Sequence, residues 1–179
     1  MAALHTEQLA FLLSRLASLP GRTESAGVYA ADRLPAHSKM NSSDICFIVN
    51  TDTNDGPGAH WLAFYYDHAK RCLEYFDSFG LPLSFHQNVY RTLNNQIARI
   101  LPINKYGMLQ ALETTACGYY CILYLHYRTH NCSGARAIRE IAKMGRSAPL
   151  RDAAVVRHVH ALMHKHKCSN LPTSNKRNK

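Results

Sequence analysis

TACGYYCILYLHYR (115–128) is apolar almost all round from Cys117 onward. A helix without a polar face has to be buried on every side, so 117–128 is expected to be the central helix of the domain. Working outward, HWLAFYYD (60–67) and CLEYFD (72–77) read as two strands joined by a short turn at 67–70, and DICFIVN (44–50) as a further strand. Thr6, Glu7 and Gln8 mark a helix start. Leu9, Leu12, Leu13 and Leu16 recur at helical spacing before Pro20-Gly21 closes the segment. Residues 27–43 read as irregular, 51–58 as a loop, and 84 to about 100 as a helix ended by Pro102. Two basic helices are expected at 134–144 and 151–166. The fold class is α+β, a mostly antiparallel or mixed sheet packed on the buried helix.

The 179 residues suit one domain able to bury a real core. The net charge is +9, and its distribution is uneven. Residues 128–179 hold 12 Lys/Arg against 2 Asp/Glu, and residues 1–127 hold 9 against 10. Such asymmetry points to an acidic partner or nucleic acid at one end of the molecule. The six cysteines, at 46, 72, 117, 121, 132 and 168, include no C-x-x-C pair and form no disulfide framework. Cys46, Cys72 and Cys121 are expected to be inert core thiols. LAFLLSRLASL (9–19) is interrupted by Arg15, so it reads as an amphipathic helix and not as a secretory signal. No stretch approaches the ~18 apolar residues of a membrane span. An intracellular, reducing setting follows as the expectation.

Chemistry concentrates in three islands, in order: His60 in GAHWLAFYYD (58–67), Asp77 in LEYFDSFG (73–80), and Gln110 with Cys117 seven residues later. If Tyr66 faces Arg71, paired residue numbers sum to 137 and His60 lies directly opposite Asp77, on one face. Glu74 is the runner-up carboxylate, but its odd offset sends it to the other face. Thr114 or Thr115 as N-cap would put Cys117 in the first helical turn, where N–H groups and the dipole favour a thiolate. Gly118 would leave room for substrate backbone. The Cys117 N–H and the Gln110 amide could both meet a developing oxyanion. Nucleophile, base, orienting acid and oxyanion donor are the parts of a thiol hydrolase. Each has a plainer reading alone: core thiol, strand histidine, strand-end cap, loop amide, and, for the single tryptophan Trp61, core packing.

At these residues the chain resembles the adenovirus-type cysteine endopeptidases, the adenain family, related in fold to the proteases that process ubiquitin-like modifiers. The similarity runs from GVYAADRLP (27–35) through the His-Trp pair and the F-D-S-F-G segment to the Gln-x6-Cys-Gly spacing, roughly residues 27–130. The resemblance implies a cysteine protease domain, taken as 1–168; its basic helical part at 131–168 is read from pattern alone, and SNLPTSNKRNK (169–179) reads by composition as a disordered basic tail. It implies His60 as general base, Asp77 as its orienting acid where adenovirus enzymes often carry Glu, Cys117 as nucleophile and Gln110 as oxyanion-hole side chain. Trp61 would wall the substrate channel. It further implies cleavage of viral precursor proteins at Gly-containing sites during virion maturation, in the virion and host nucleus. No metal or other cofactor is required for such chemistry. DNA, and an activating peptide, enter as stimulators; adenovirus enzymes attach that peptide through a cysteine upstream of the glutamine, and residues 85–109 here contain none.

For the basic third, a non-specific nucleic-acid face is expected at Arg136, Arg139, Lys143, Arg146, Arg151, Arg157, Lys165 and Lys167. The protein is expected to act as a monomer on protein substrates, without a membrane. Competing readings are an isopeptidase for ubiquitin or a ubiquitin-like modifier, and a basic nucleic-acid-binding protein. His158, His160, His164, His166 and Cys168 could suggest a metal site, but no acidic partner or C-x-x-C supports one.

Overall fold

The computed structural model describes residues 3–17, 23–35, 43–94, 100–103 and 107–168, with side chains at 23–26, 94 and 165–168 left aside. The tail at 169–179, the side chains of Lys165, His166, Lys167 and Cys168, and the Pro20-Gly21 stop lie outside this description.

Helix α3 (Cys117–Thr129) forms where expected, and every residue from Cys117 to Leu125 is buried. One side meets the sheet through Ile48, Ala63, Tyr65 and Phe76, with Phe76 stacked on Tyr124 at 4.6 Å. The other sides are covered by α1 (Thr6–Ala17), α4 (Gly134–Lys143) and α5 (Ala148–Cys168). In α1, Leu9, Leu12, Leu13 and Leu16 are the buried stripe, and Gln8 reaches back to accept from the His5 N–H at 3.0 Å.

The sheet has five strands in sequential order: β1 (Thr23–Tyr29), β2 (Asp44–Asn50), β3 (Trp61–Asp67), β4 (Cys72–Phe76) and β5 (Ile100–Pro102). Its centre is antiparallel and both outer pairs are parallel, so the sheet is mixed. The face away from α3 holds Phe47, Phe64, Leu73 and Tyr75, covered by Leu83 of a short 3-10 turn and by Val89 and Leu93 from α2 (Gln87–Asn94).

Three expectations need correction. Residues 27–29, read as irregular, end β1; a bulge between Ser25 and Gly27, with Gly27 at φ +112°, breaks the alternation that would have marked the strand. The helix expected from 84 to about 100 is shorter, and Pro102 sits in edge strand β5 beside Tyr75, where no donor is needed. The β3–β4 pairs sum to 139, not 137, because the four-residue connection is 68–71 and not 67–70. Asp67 Oδ1 accepts the Lys70 N–H at 3.0 Å, and Arg71 adopts φ 49°, which sets the turn one residue later than expected.

Glu74 faces α3, as its parity required. Arg128 Nε lies 2.6 Å and Nη2 3.2 Å from its two oxygens, and the Tyr124 hydroxyl donates at 2.7 Å. The guanidinium also lies over the Tyr65 ring at 4.0 Å. This buried charge pair locks the helix to the sheet. Glu74→Ala is expected to cost about 3–5 kcal/mol by stranding Arg128. Urea unfolding measures it, and turnover of the protein still folded should stay near wild type.

Candidate active site

The four residues that the sequence singles out converge at one end of the sheet. His60 immediately precedes β3, Asp77 immediately follows β4, and Cys117 opens α3. A register shifted by two keeps every side chain on its face. His60 and Asp77 are therefore diagonal neighbours instead of direct opposites, and His60 Nε2 still reaches Asp77 Oδ1 at 2.6 Å. In the direct-opposite place stands Phe79, its ring stacked on His60 at 4.8 Å.

Asp77 is wholly buried, so its charge must be answered from within. Besides His60, it accepts the Phe79 N–H at 3.0 Å on Oδ1 and the Leu81 N–H at 3.1 Å on Oδ2. A second histidine, His86, places Nε2 3.2 Å from Oδ2. Burial alone would raise the Asp77 carboxyl, but the hydrogen bonds from both histidines, the His60 charge and the Phe79 N–H outweigh it and hold the group well below the usual range. His60 shows the converse. Burial favours its neutral ring, yet the hydrogen bonds and charges of Asp77 and Cys117 outweigh that and raise its pKa to about 9. With Nε2 given to Asp77, Nδ1 is the ring nitrogen left for the Cys117 thiol.

Cys117 occupies the first turn of α3, but by another route than expected. The residue before the helix is Ala116, with no side-chain cap, and the Thr114 hydroxyl bonds the Asp152 carboxylate instead. Gly118 also has another reason. A Cβ there would meet Leu4 at 3.2 Å, Leu9 at 3.3 Å and Trp61 at 3.4 Å, so glycine lets α1 and Trp61 close on the helix. Trp61 is half-buried and donates its indole N–H to the Leu4 carbonyl at 3.2 Å. Cys121 is wholly buried, its thiol 3.3 Å from the Trp61 carbonyl oxygen, and burial pushes its pKa well up. Burial likewise pushes Cys46 up to about 12.

Gln110 is held by the residue beside Asp77. The Ser78 hydroxyl donates to Gln110 Oε1 at 2.8 Å, and the Ser78 carbonyl accepts the Leu109 N–H at 2.8 Å. Gln110 Nε2 donates to the Thr114 carbonyl at 2.7 Å. A side-chain amide nitrogen has two N–H groups, so one remains for another acceptor. Gln110, His60 and Cys117 line one cleft of about 690 Å³, with Trp61, Phe79 and Leu112 among its walls. Such an arrangement can ionise a thiol, attack a carbonyl and hold the resulting oxyanion.

Sequence reading missed Ser78 and His86. Ser78 follows directly from the strand end: a residue next to the orienting acid faces the opposite way and is free to hold a second element. His86 has no such signal, because a 3-10 turn brings it back.

The basic residues do not form one set. Arg136, Arg139 and Lys143 are exposed along α4 at helical spacing, Lys143 beside Glu140 at 3.2 Å, and Arg146 and Arg157 are exposed too. Arg151 is turned inward, its guanidinium given to the carbonyls of Leu109, Ala142 and Gly145. Among the described residues, no group of three or more His, Cys, Asp or Glu is placed to hold a metal, and no helix is long and apolar enough to cross a membrane.

Comparison with known proteins follows this geometry. The family model for the adenovirus endoprotease matches residues 26–147. The protease of Porcine adenovirus A serotype 3 is 30% identical over 97 residues, covering 48% of this chain and 48% of its own length. That of Human adenovirus A serotype 12 is 31% identical over 96 residues, covering 48% and 47%. The chain thus spans about half the length of the curated relatives it matches. The crystal structure of the ASFV protease aligns over 86% of this chain and 67% of that chain, with a TM-score of 0.56 and 18% identity, a likeness of fold.

The raised His60 pKa has a testable sign. Its stabilising charge is fully present below the ordinary value of 6.5 and is lost as pH rises through about 9. Titration of the imidazole by NMR should give a midpoint near 9, and Asp77→Asn should lower it by removing the first of the two raising partners. A wild-type midpoint at or below 6.5 would contradict the pairing.

Proposed function

The chain belongs to the adenovirus endoprotease family, and from that premise we propose that it is a cysteine endopeptidase cleaving viral precursor proteins at Gly-containing sites during virion maturation. One observation carries the reading: a buried imidazole 2.6 Å from Asp77 and raised by both Asp77 and Cys117, at the wall of an open cleft.

In this reading His60 takes the Cys117 proton on Nδ1, giving an imidazolium steadied by Asp77 at Nε2. The thiolate attacks the peptide carbonyl carbon. Negative charge on the carbonyl oxygen is met by the Cys117 N–H, which lies in a helical turn without a carbonyl partner of its own, and by the second N–H of Gln110. The tetrahedral species collapses as the C–N bond breaks and His60 returns its proton to the leaving amine. Water, deprotonated by His60, then hydrolyses the thioester and restores the thiol. Asp77 orients and steadies the imidazole throughout and exchanges no proton.

The approach to His60 leaves room for a substrate chain. Gly56, Gly58 and Ala59 line that side of the cleft, so an extended backbone with small side chains can lie close to it. The proposed setting is the virion and the host nucleus, with DNA as a non-specific stimulator. The exposed row Arg136, Arg139 and Lys143 supports a phosphate-binding face. An activating peptide, if used, would have to bind without the disulfide of the adenovirus enzymes at residues 85–109.

Purified protein offered a peptide library should cut after or beside glycine, and Cys117→Ala should abolish cleavage while leaving the thermal melt nearly unchanged. Gln110→Ala should lower kcat on the order of 10²-fold with KM little changed. Retained turnover in Cys117→Ala would remove the nucleophile assignment. Mobility shifts should show binding near 50 mM salt that weakens with a log–log slope of ~0.9 per phosphate contacted, and charge reversal at Arg136, Arg139 and Lys143 should flatten it.

A further inference from the structure

The loop that carries Gln110 is gripped from two directions. Ser78 holds it from the sheet. From the opposite side, two consecutive residues near the start of α5 take the peptide atoms flanking Gln110. Arg151 Nη1 donates to the Leu109 carbonyl at 2.7 Å, and Asp152 Oδ2 accepts the Ala111 N–H at 3.2 Å. The same Asp152 oxygen accepts the Thr114 hydroxyl at 2.6 Å, while Oδ1 accepts the Tyr120 hydroxyl at 2.7 Å. Asp152 is 1% exposed and stands outside the segment that matches the family model.

A buried carboxylate accepts and cannot donate, so its three partners have their protons fixed in direction. Two of the three belong to the Gln110 loop. The third, Tyr120, sits on the first turn of α3 after Cys117 and also approaches the Leu109 carbonyl at 3.1 Å. Thr114 matters twice: its hydroxyl is bound by Asp152, and its carbonyl orients the Gln110 amide nitrogen. A shift of Thr114 would therefore turn the amide that faces the oxyanion.

We propose that Asp152 is a positioning residue that fixes the Gln110 amide for oxyanion binding, by holding Ala111 and Thr114 on α5. This rests on the reading of Gln110 as an oxyanion donor. It makes α5 a working part of the active site and not only a basic cover for the core. Arg151 completes the grip by fixing the carbonyl on the other side of Gln110, which accounts for its inward guanidinium.

The test is a double-mutant cycle on the full chain. Asp152→Asn keeps the shape but removes the charge and turns one of the two accepting oxygens into an N–H donor, which weakens the hold on the loop. In the wild-type background it should lower kcat by about 10-fold or more with KM changed less than about 2-fold, the signature of an interaction realised in the transition state. In a Gln110→Ala background the same change should cost less than about 2-fold further, because the residue through which it acts is gone. Alkylation of Cys117 by iodoacetamide, which forms no oxyanion, should proceed within about 2-fold of wild type.

Equal losses in both backgrounds, a loss confined to KM, or alkylation falling in step with kcat would each overturn the proposal. If Asp152→Asn does not fold, Thr114→Val removes only the hydroxyl, with its bonds to Asp152 and the Ala111 carbonyl, and should show the same pattern at smaller size; a wild-type kcat there overturns it as well. Should Gln110→Ala itself keep full kcat, the reading of Gln110 fails and this inference fails with it. Additive losses from a damaging Gln110→Ala sink this inference alone.

Discussion

A helix with no polar face must be enclosed on all sides, and that demand organises the whole molecule. The sheet can cover only one side of α3, so α1, α4 and α5 are recruited for the rest. Only the helix start can reach solvent without exposing apolar surface. That is where Cys117 lies, 9% exposed against 0% for Cys121 one turn on. The same packing that makes the core therefore selects which thiol is available to chemistry. It also sets the positive end of the helix beside the cleft that Cys117 lines.

The end of β4 does for the polar groups what α3 does for the apolar ones. Asp77 and Ser78 are adjacent, both wholly buried, and face opposite ways. One holds the imidazole and the other holds the Gln110 amide. His60 and Gln110 are thus both referenced to one pair of adjacent residues. Aspartate is a short arm for this task. Two backbone N–H groups and His86 fix it in place, and it still meets His60 Nε2 at 2.6 Å across the diagonal.

Much of this could be read before any coordinates. The buried helix, the three central strands and the inward or outward parity of each strand residue follow from hydrophobic pattern, which is a local property. Parity survived a register error of two residues because side-chain direction repeats every two. What pattern could not show was how chain ends and turns are spent. Asp67 capping its own turn moved the β3–β4 connection by one residue; the bulge at Gly27 hid β1; and Thr114, a natural cap by type, was claimed by an aspartate 38 residues away. Asp152 and His86 were invisible for the same reason. Each acts through a contact made only after distant elements pack, and neither carries a spacing that announces it. Gly118 shows the reverse trap: the residue was rightly singled out, but a close helix crossing explains it.

The two margins of the sheet have a bearing on how this protein behaves in a crowd. An open strand edge is a template on which another chain can pair, and long flat edges invite aggregation. Here one margin is β5, three residues long and ending in a proline that has no N–H to give. The other is β1, bent by its bulge so that a straight neighbour would lose register midway. Neither offers an uninterrupted ladder. Such margins give an extended polypeptide no ladder to join, so pairing with a foreign strand is disfavoured at both ends of the sheet while the cleft at its end stays open to one.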